Sequence, residues 1–215
     1  MKMVLKKSFI LALLLVLPVF IYAQELKPIK LPVPNTEGGK PLMQALKERK
    51  SMREFSVQEL PLQVISDLLW AADGINRPES AHRTAPSAMN MQEIEIYLAK
   101  ADGLYLYDAK GNMLILVASG DIRALTGKQP FVKDAPINLI YVADITKTSK
   151  LSAVDTDFYA AADTGFVSEN VYLYCASVGL STVVRGSIDK WALAKAMKLD
   201  AYKKIILAQT VGYPK

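Results

Sequence analysis

The stretch Gly103-Leu104-Tyr105-Leu106-Tyr107-Asp108-Ala109-Lys110-Gly111-Asn112-Met113-Leu114-Ile115-Leu116-Val117 decides how the rest of the chain is read. Two apolar runs of strand length flank Ala109-Lys110-Gly111, whose small residues and glycine suit a reversal, so the segment reads as a β-hairpin. Working outward, Ile94, Ile96 and Leu98 alternate with Glu95, Tyr97 and Ala99, the pattern of a half-buried strand. On the other side, Ala135 to Ala143 is almost uniformly apolar and reads as a buried strand. Four strands in succession, with helices before and after them, define an α+β domain.

The period changes to that of a helix at both ends. A first helix is expected from about Pro41 to Ser51, and a second over Pro61 to Ala72, stopped by Gly74 and Pro78. A long Ala-rich helix is expected from about Asp155 to Ser177, closed by Gly179. A short β-branched strand (Ser181 to Val184), a helix (Ile188 to Met197) and a last strand (Lys204 to Val211) complete the chain.

Residues 1–23 read as a cleaved signal peptide. Lys2, Lys6 and Lys7 precede an apolar run from Phe9 to Tyr22, too short for a span of roughly 20 apolar residues, so no stable membrane anchor is expected. The implied location is outside the cytoplasm, in the periplasm. Residues 24–41, with four prolines and Gly38-Gly39, read as an extended arm, and residues 42–215 as the folded domain. The three leader lysines belong to a total of 26 basic against 21 acidic residues. The remainder is therefore close to neutral, and the pI near 9.1 does not argue for nucleic acid. One cysteine, Cys175, and one histidine, His82, are too few for a disulfide or a soft metal site.

Three segments carry polar groups in patterns that suit a ligand. Arg49-Lys50-Ser51-Met52-Arg53 places three cations and a hydroxyl within five residues, donors that match a phosphate monoester. A solvated helix end explains them as well. Pro86-Ser87-Ala88-Met89-Asn90-Met91-Gln92 offers a sterically open loop with amides at alternate positions, suited to the edge of a polar heterocycle or simply a loop entering a strand. Val184-Arg185-Gly186-Ser187 ends a strand at a glycine, with Ser187 a candidate helix cap. Such a junction admits a ligand to the backbone, and a left-handed structural glycine accounts for it nearly as well.

In this order, these segments resemble the FMN-dependent nitroreductase superfamily. The likeness rests on R-x-S-x-R-x-F at Arg49–Phe55, A-P-S-A-x-N-x-Q at Ala85–Gln92, Arg185-Gly186-Ser187 and the closing Gly212-Tyr213-Pro214. Ile75-Asn76-Arg77, Arg83 to Ala88 and Gly103 to Asp108 look closest to its azoline-oxidase-like subgroup. The resemblance implies a mostly antiparallel sheet flanked by helices, an intertwined homodimer, and FMN at the subunit interface. It implies that Arg49, Lys50, Ser51 and Arg53 bind the FMN phosphate and ribityl chain. Pro86, Ser87 and Ala88 would lie along the isoalloxazine, with Asn90 at its polar edge and the Gly186 N–H at N5. Many relatives add basic residues beyond this point, a role left here to Lys215. Arg185 stands where simple nitroreductases carry an acid, so it would set a cation beside the flavin or pair with Asp189 at i,i+4.

The implied activity is that of an exported FMN-dependent oxidoreductase. It would pass two electrons between a small-molecule donor and a flat, electron-poor acceptor such as a nitroaromatic or quinone. No catalytic side chain beyond the flavin pocket is expected, and export leaves the donor open because NAD(P)H is cytoplasmic. The alternative is a flavin-binding but catalytically degenerate module.

Overall fold

The computed structural model describes residues 28–215. The expected signal segment, residues 1–23, lies outside the described residues. Seven strands form one sheet in the order β1-β6-β5-β4-β7-β9-β8, every neighbouring pair antiparallel. β1 is Ile29–Lys30, β4 Ile94–Lys100, β5 Gly103–Asp108 and β6 Met113–Ser119. β7 is Ile137–Asp144, β8 Ser181–Arg185 and β9 Lys203–Gly212. β2 (Ile75–Arg77) and β3 (His82–Arg83) make a small separate ribbon. The helices are α1 (Leu42–Glu48), α2 (Leu62–Asp73), α3 (Ala153–Val178) and α4 (Lys190–Met197). This is the expected α+β fold, a helix-flanked antiparallel sheet. None of the described helices is long and apolar enough to cross a membrane.

Both faces of the sheet are covered. On one face Ile65, Leu68 and Leu69 of α2 and Val167, Val171 and Cys175 of α3 pack against Ile96, Leu98, Leu139 and Tyr141. On the other, Leu193 and Met197 of α4 cover Tyr97, Ala99, Ile140 and Val142. The strand expected to be half-buried is thus buried on both sides: β4 alternates correctly, but its second face meets α4 instead of water. Tyr97 and Ala99 were small or aromatic enough to serve either surface, and periodicity alone does not say which.

The expected N-terminal arm is more than a tether. β1 pairs with β6 at the sheet edge, Leu31 is buried, and the Ser66 hydroxyl and Asn112 amide both donate to the Pro32 carbonyl. The arm therefore belongs to the domain, shielding an edge strand that would otherwise expose unpaired backbone.

α3 runs through the centre. The Ser152 hydroxyl accepts from the Asp155 N–H at its start, and Gly179, at φ +79°, ends it by returning its N–H to the Cys175 carbonyl. A left-handed residue at this place is where glycine carries no Cβ penalty. Outward, α3 leaves Val154, Phe158 and Phe166 at 79, 65 and 47% exposure, and α1 leaves Leu42 and Met43 at 62 and 75%.

Candidate functional site

The basic segment leaves α1 at Arg49 and continues in extended form along the open edge of β8. The Met52 N–H donates to the Thr182 carbonyl at 2.9 Å, and Phe55 forms an antiparallel bridge with Pro214. Phe55 is buried against Ala135, Val183 and Phe131, which pins the segment while leaving its polar side chains outside. Lys50, Ser51 and Arg53 are exposed and Arg49 half-exposed. Among the described residues, none of the three cations is ion-paired. Lys215, one residue beyond the bridge, lines the same groove as Arg53.

Sequence reasoning missed the residue that organises this corner. Tyr172 of α3 is buried, and its hydroxyl accepts from the Val184 N–H at 2.9 Å and lies 2.8 Å from the Ser51 hydroxyl. The Arg49 guanidinium sits over its ring, 5.2 Å from the centroid. One phenol thereby ties α3, β8 and the basic segment together, giving Ser51 a fixed orientation at its exposed side. Tyr172 reads from sequence as one more apolar-face residue of a long helix, and only its polar tip hinted otherwise.

Gly186 follows β8 directly and is exposed. Its φ is not left-handed, and a Cβ built there would meet only a Leu207 methyl at 3.6 Å. Neither backbone conformation nor packing requires glycine here, which removes the reading of a left-handed structural glycine. What a bare Cα does provide is close approach from solvent.

Arg185 does not face that opening. Its side chain is 5% exposed and turned inward, donating to the Thr126 carbonyl at 2.6 Å, Asn138 Oδ1 at 2.8 Å and the Thr210 hydroxyl at 2.9 Å. Phe131 lies beneath the guanidinium at 6.0 Å, and Gly127 makes room for it, since a Cβ there would stand 2.0 Å from Nη1. The expectation of a cation presented directly to a ligand is thus corrected: all of Arg185's acceptors are neutral and internal. Burial draws its pKa down to about 10. Pairing with Asp189 is also absent, because Asp189, and not Ser187, caps α4 by accepting from the Ala192 N–H.

The Pro86–Asn90 loop lies elsewhere. The Ala88 N–H donates to Asp163 Oδ2 at 2.8 Å, and the Ser87 hydroxyl accepts from the Gln92 N–H at 3.0 Å. Gln92 turns back to Ala81, Arg83 and Asn90, so the two amides bond one another instead of facing out together. Asn90 and Pro86 are both exposed. Asp163 and Tyr172 are nine residues apart on α3, which is ~13 Å of rise and about two and a half turns, so they leave the helix on opposite faces. One chain thus brings together Arg49, Lys50, Ser51, Arg53, Arg185, Gly186 and Lys215, and holds Pro86, Ser87, Ala88 and Asn90 on the far side of α3.

Residues 46–213 match the model of the nitroreductase family. An assigned nitroreductase of Methanocaldococcus jannaschii is 29% identical over 189 residues, 83% of this chain and 94% of that protein. A solved structure of an assigned nitroreductase from Ralstonia eutropha is 43% identical, with a TM-score of 0.84 over 87% of this chain and 90% of its own. Another, from Desulfovibrio desulfuricans and solved in complex with FMN, superposes at a TM-score of 0.60, covering 81% of this chain and 87% of its own at 21% identity. On the match over residues 46–213, the chain belongs to the nitroreductase family.

Proposed function

We propose that this chain is an exported FMN-dependent oxidoreductase, working as a homodimer on flat, electron-poor organic acceptors. The observation that carries the reading is the pairing of three unpaired, solvent-facing cations with a glycine that the fold itself does not need. Cations held by pinned backbone, with no carboxylate ion-paired to them among the described residues, suit a phosphate monoester. A bare Cα at a strand end, a short distance along the same edge, admits a flat ring to the backbone.

FMN, when bound, supplies two-electron transfer between a small-molecule donor and the acceptor, and the protein supplies binding and orientation. Arg49, Lys50, Ser51, Arg53 and Lys215 would hold the phosphate and ribityl chain. The Gly186 backbone would lie against the ring near N5, and Arg185 would brace that backbone from behind. Pro86, Ser87, Ala88 and Asn90 would complete the ring site from the partner subunit, since in one chain they lie across α3 from the cations. The bare apolar surfaces of α1 and α3 are where the second copy would sit. The motifs at 75–77, 83–88 and 103–108 favour the azoline-oxidase-like subgroup, in which an organic substrate in place of a nicotinamide would reduce the cofactor.

The test is the absorption spectrum of the protein lacking residues 1–23, before and after FMN is added. A flavin spectrum that survives gel filtration supports the reading; a colourless protein that cannot be reconstituted refutes it. Bleaching by a reductant and recolouring by a quinone or nitroaromatic then separates an enzyme from a degenerate flavin binder.

A further inference from the structure

Five charged side chains converge behind the Pro86–Asn90 loop, and the contacts above leave one of them unexplained. Glu93, between the loop and β4, is fully buried, and among the described residues neither of its carboxylate oxygens has a hydrogen-bond partner. Facing it from α3 is Asp163, 2% exposed, whose Oδ2 accepts the Ala88 N–H. The other neighbours are Asp73 at the end of α2, Arg83 of β3, and Lys147 from the turn after β7. Both cations are engaged elsewhere: Arg83 lies 3.6 Å from the Asp73 carboxylate and binds the Asp73 carbonyl and Gln92, and Lys147 donates to the Gln92 carbonyl.

Two adjacent carboxyl groups taken out of water, with no cation bound to Glu93, resist being ionised together at acid to neutral pH. One proton stays, and a protonated carboxyl is a donor where a carboxylate is only an acceptor. The loop this pair supports needs outside anchors. Met89, Asn90 and Gln92 hold φ values of 51°, 54° and 49°, a region that non-glycine residues occupy at a cost.

We propose that Glu93 is a positioning residue for the cofactor site: it carries a proton directed at Asp163 and so secures the Asp163–Ala88 bond that fixes the Pro86–Asn90 loop. This rests on the flavin reading for its functional consequence, though not for the acid pair itself. Burial and the Asp163 charge raise the Glu93 pKa to about 7. The stabilisation from a raised carboxyl pKa is complete below the unfolded value and is lost as pH climbs through the folded one. Between about pH 5 and 8 the pair therefore passes from one shared proton to mutual repulsion, and the loop loses its anchor.

The experiment compares wild type with Glu93→Gln, and with Asp163→Asn should the first variant fail to fold, from pH 5.5 to 8.5. Two quantities are read: the FMN dissociation constant and the melting temperature of cofactor-free protein. Taking the ratio of wild-type to variant affinity cancels the titration of the FMN phosphate. The ratio of dissociation constants is expected to grow about tenfold across the range, an effect of roughly one pKa unit of differential interaction. The wild-type melting temperature is expected to fall with rising pH relative to the variant. Parallel melting curves overturn the acid pair whether or not FMN binds. Diverging melting curves with a constant affinity ratio overturn the positioning role. If no protein binds FMN at any pH, the flavin reading and the positioning role fall together, while diverging melting curves still uphold the shared proton.

Discussion

Replacing Arg185 by methionine isolates what a buried cation without a carboxylate partner does for this fold. Methionine has nearly the same length, so packing over Phe131 and against Gly127 is largely kept, and the change removes charge and donors. Three bonds are lost, to Thr126, Asn138 and Thr210. Bonds from a charged donor contribute roughly 1.5–3 kcal/mol each, so the loss is about 5–9 kcal/mol. Against it stands the desolvation of the cation, which lowers its pKa from 12.5 to about 10, equivalent to about 3 kcal/mol recovered on removing the charge. Asn138 Oδ1 keeps its bond from the Thr210 hydroxyl, leaving the Thr126 carbonyl as the one group stranded. The expected balance is about 2–6 kcal/mol less stable, a fall in melting temperature of roughly 5–20 °C for a domain of this size. Arg185→Ala should fall further, since three methylenes of packing go as well, at about 0.8 kcal/mol each before any cavity cost. Thermal unfolding of the three cofactor-free proteins, followed by circular dichroism, measures both steps. A methionine variant as stable as wild type would refute the reasoning, because desolvation would then cancel the bonds.

Four further outcomes are expected. Gly186→Ala should leave the melting temperature within about 1 °C of wild type, as nothing crowds the new methyl, yet weaken FMN binding at least tenfold in a fluorescence titration; unchanged affinity would remove Gly186 from the site. Tyr172→Phe strands the Val184 N–H and frees Ser51, for a cost of about 1–3 kcal/mol in denaturant unfolding; a variant with wild-type stability would show that the phenol bonds contribute nothing net. Joint Phe158→Asp and Phe166→Asp substitution should yield a monomer by light scattering that no longer retains FMN, and a monomer with full retention would place the Pro86 loop outside the cofactor site. Desolvation also raises the Asp73 pKa to about 7, outweighing Arg83, so wild type should be more stable near pH 5 than near pH 8; Asp73→Asn should flatten that slope, and an unchanged slope would assign it to other groups.

Most of the elements were legible in the sequence because they follow from local chemistry. The hairpin at 103–117, the uniformly apolar β7, and the Gly179 end of α3 each rest on residue types a few positions apart, and the structure places them within one or two residues of expectation. The basic cluster was also visible, though only as a phosphate match that a solvated helix end explained equally well. Its pinning along β8 through Phe55 and Met52 depends on residues more than a hundred positions away. That contact turned three repelling cations into a candidate binding surface.

What only the tertiary structure decided concerns direction and partnership. Arg185 reads as a cation beside Gly186, but a side chain of that length goes where acceptors are, and Asn138, Thr210 and Thr126 meet only when β7, β8 and β9 are laid together with the Arg123–Thr126 turn against them. Gln92 reads as an outward amide, but it turns back because Arg83 and Ala81 supply its bonds. The acidity of Glu93 and the role of Tyr172 are invisible along the chain for the same reason: each depends on α3 passing within reach. Sequence fixes which groups are available at what spacing, since that is covalent. Which of them face solvent, share a proton or hold a neighbour is set by burial, and burial is a property of the whole packed chain.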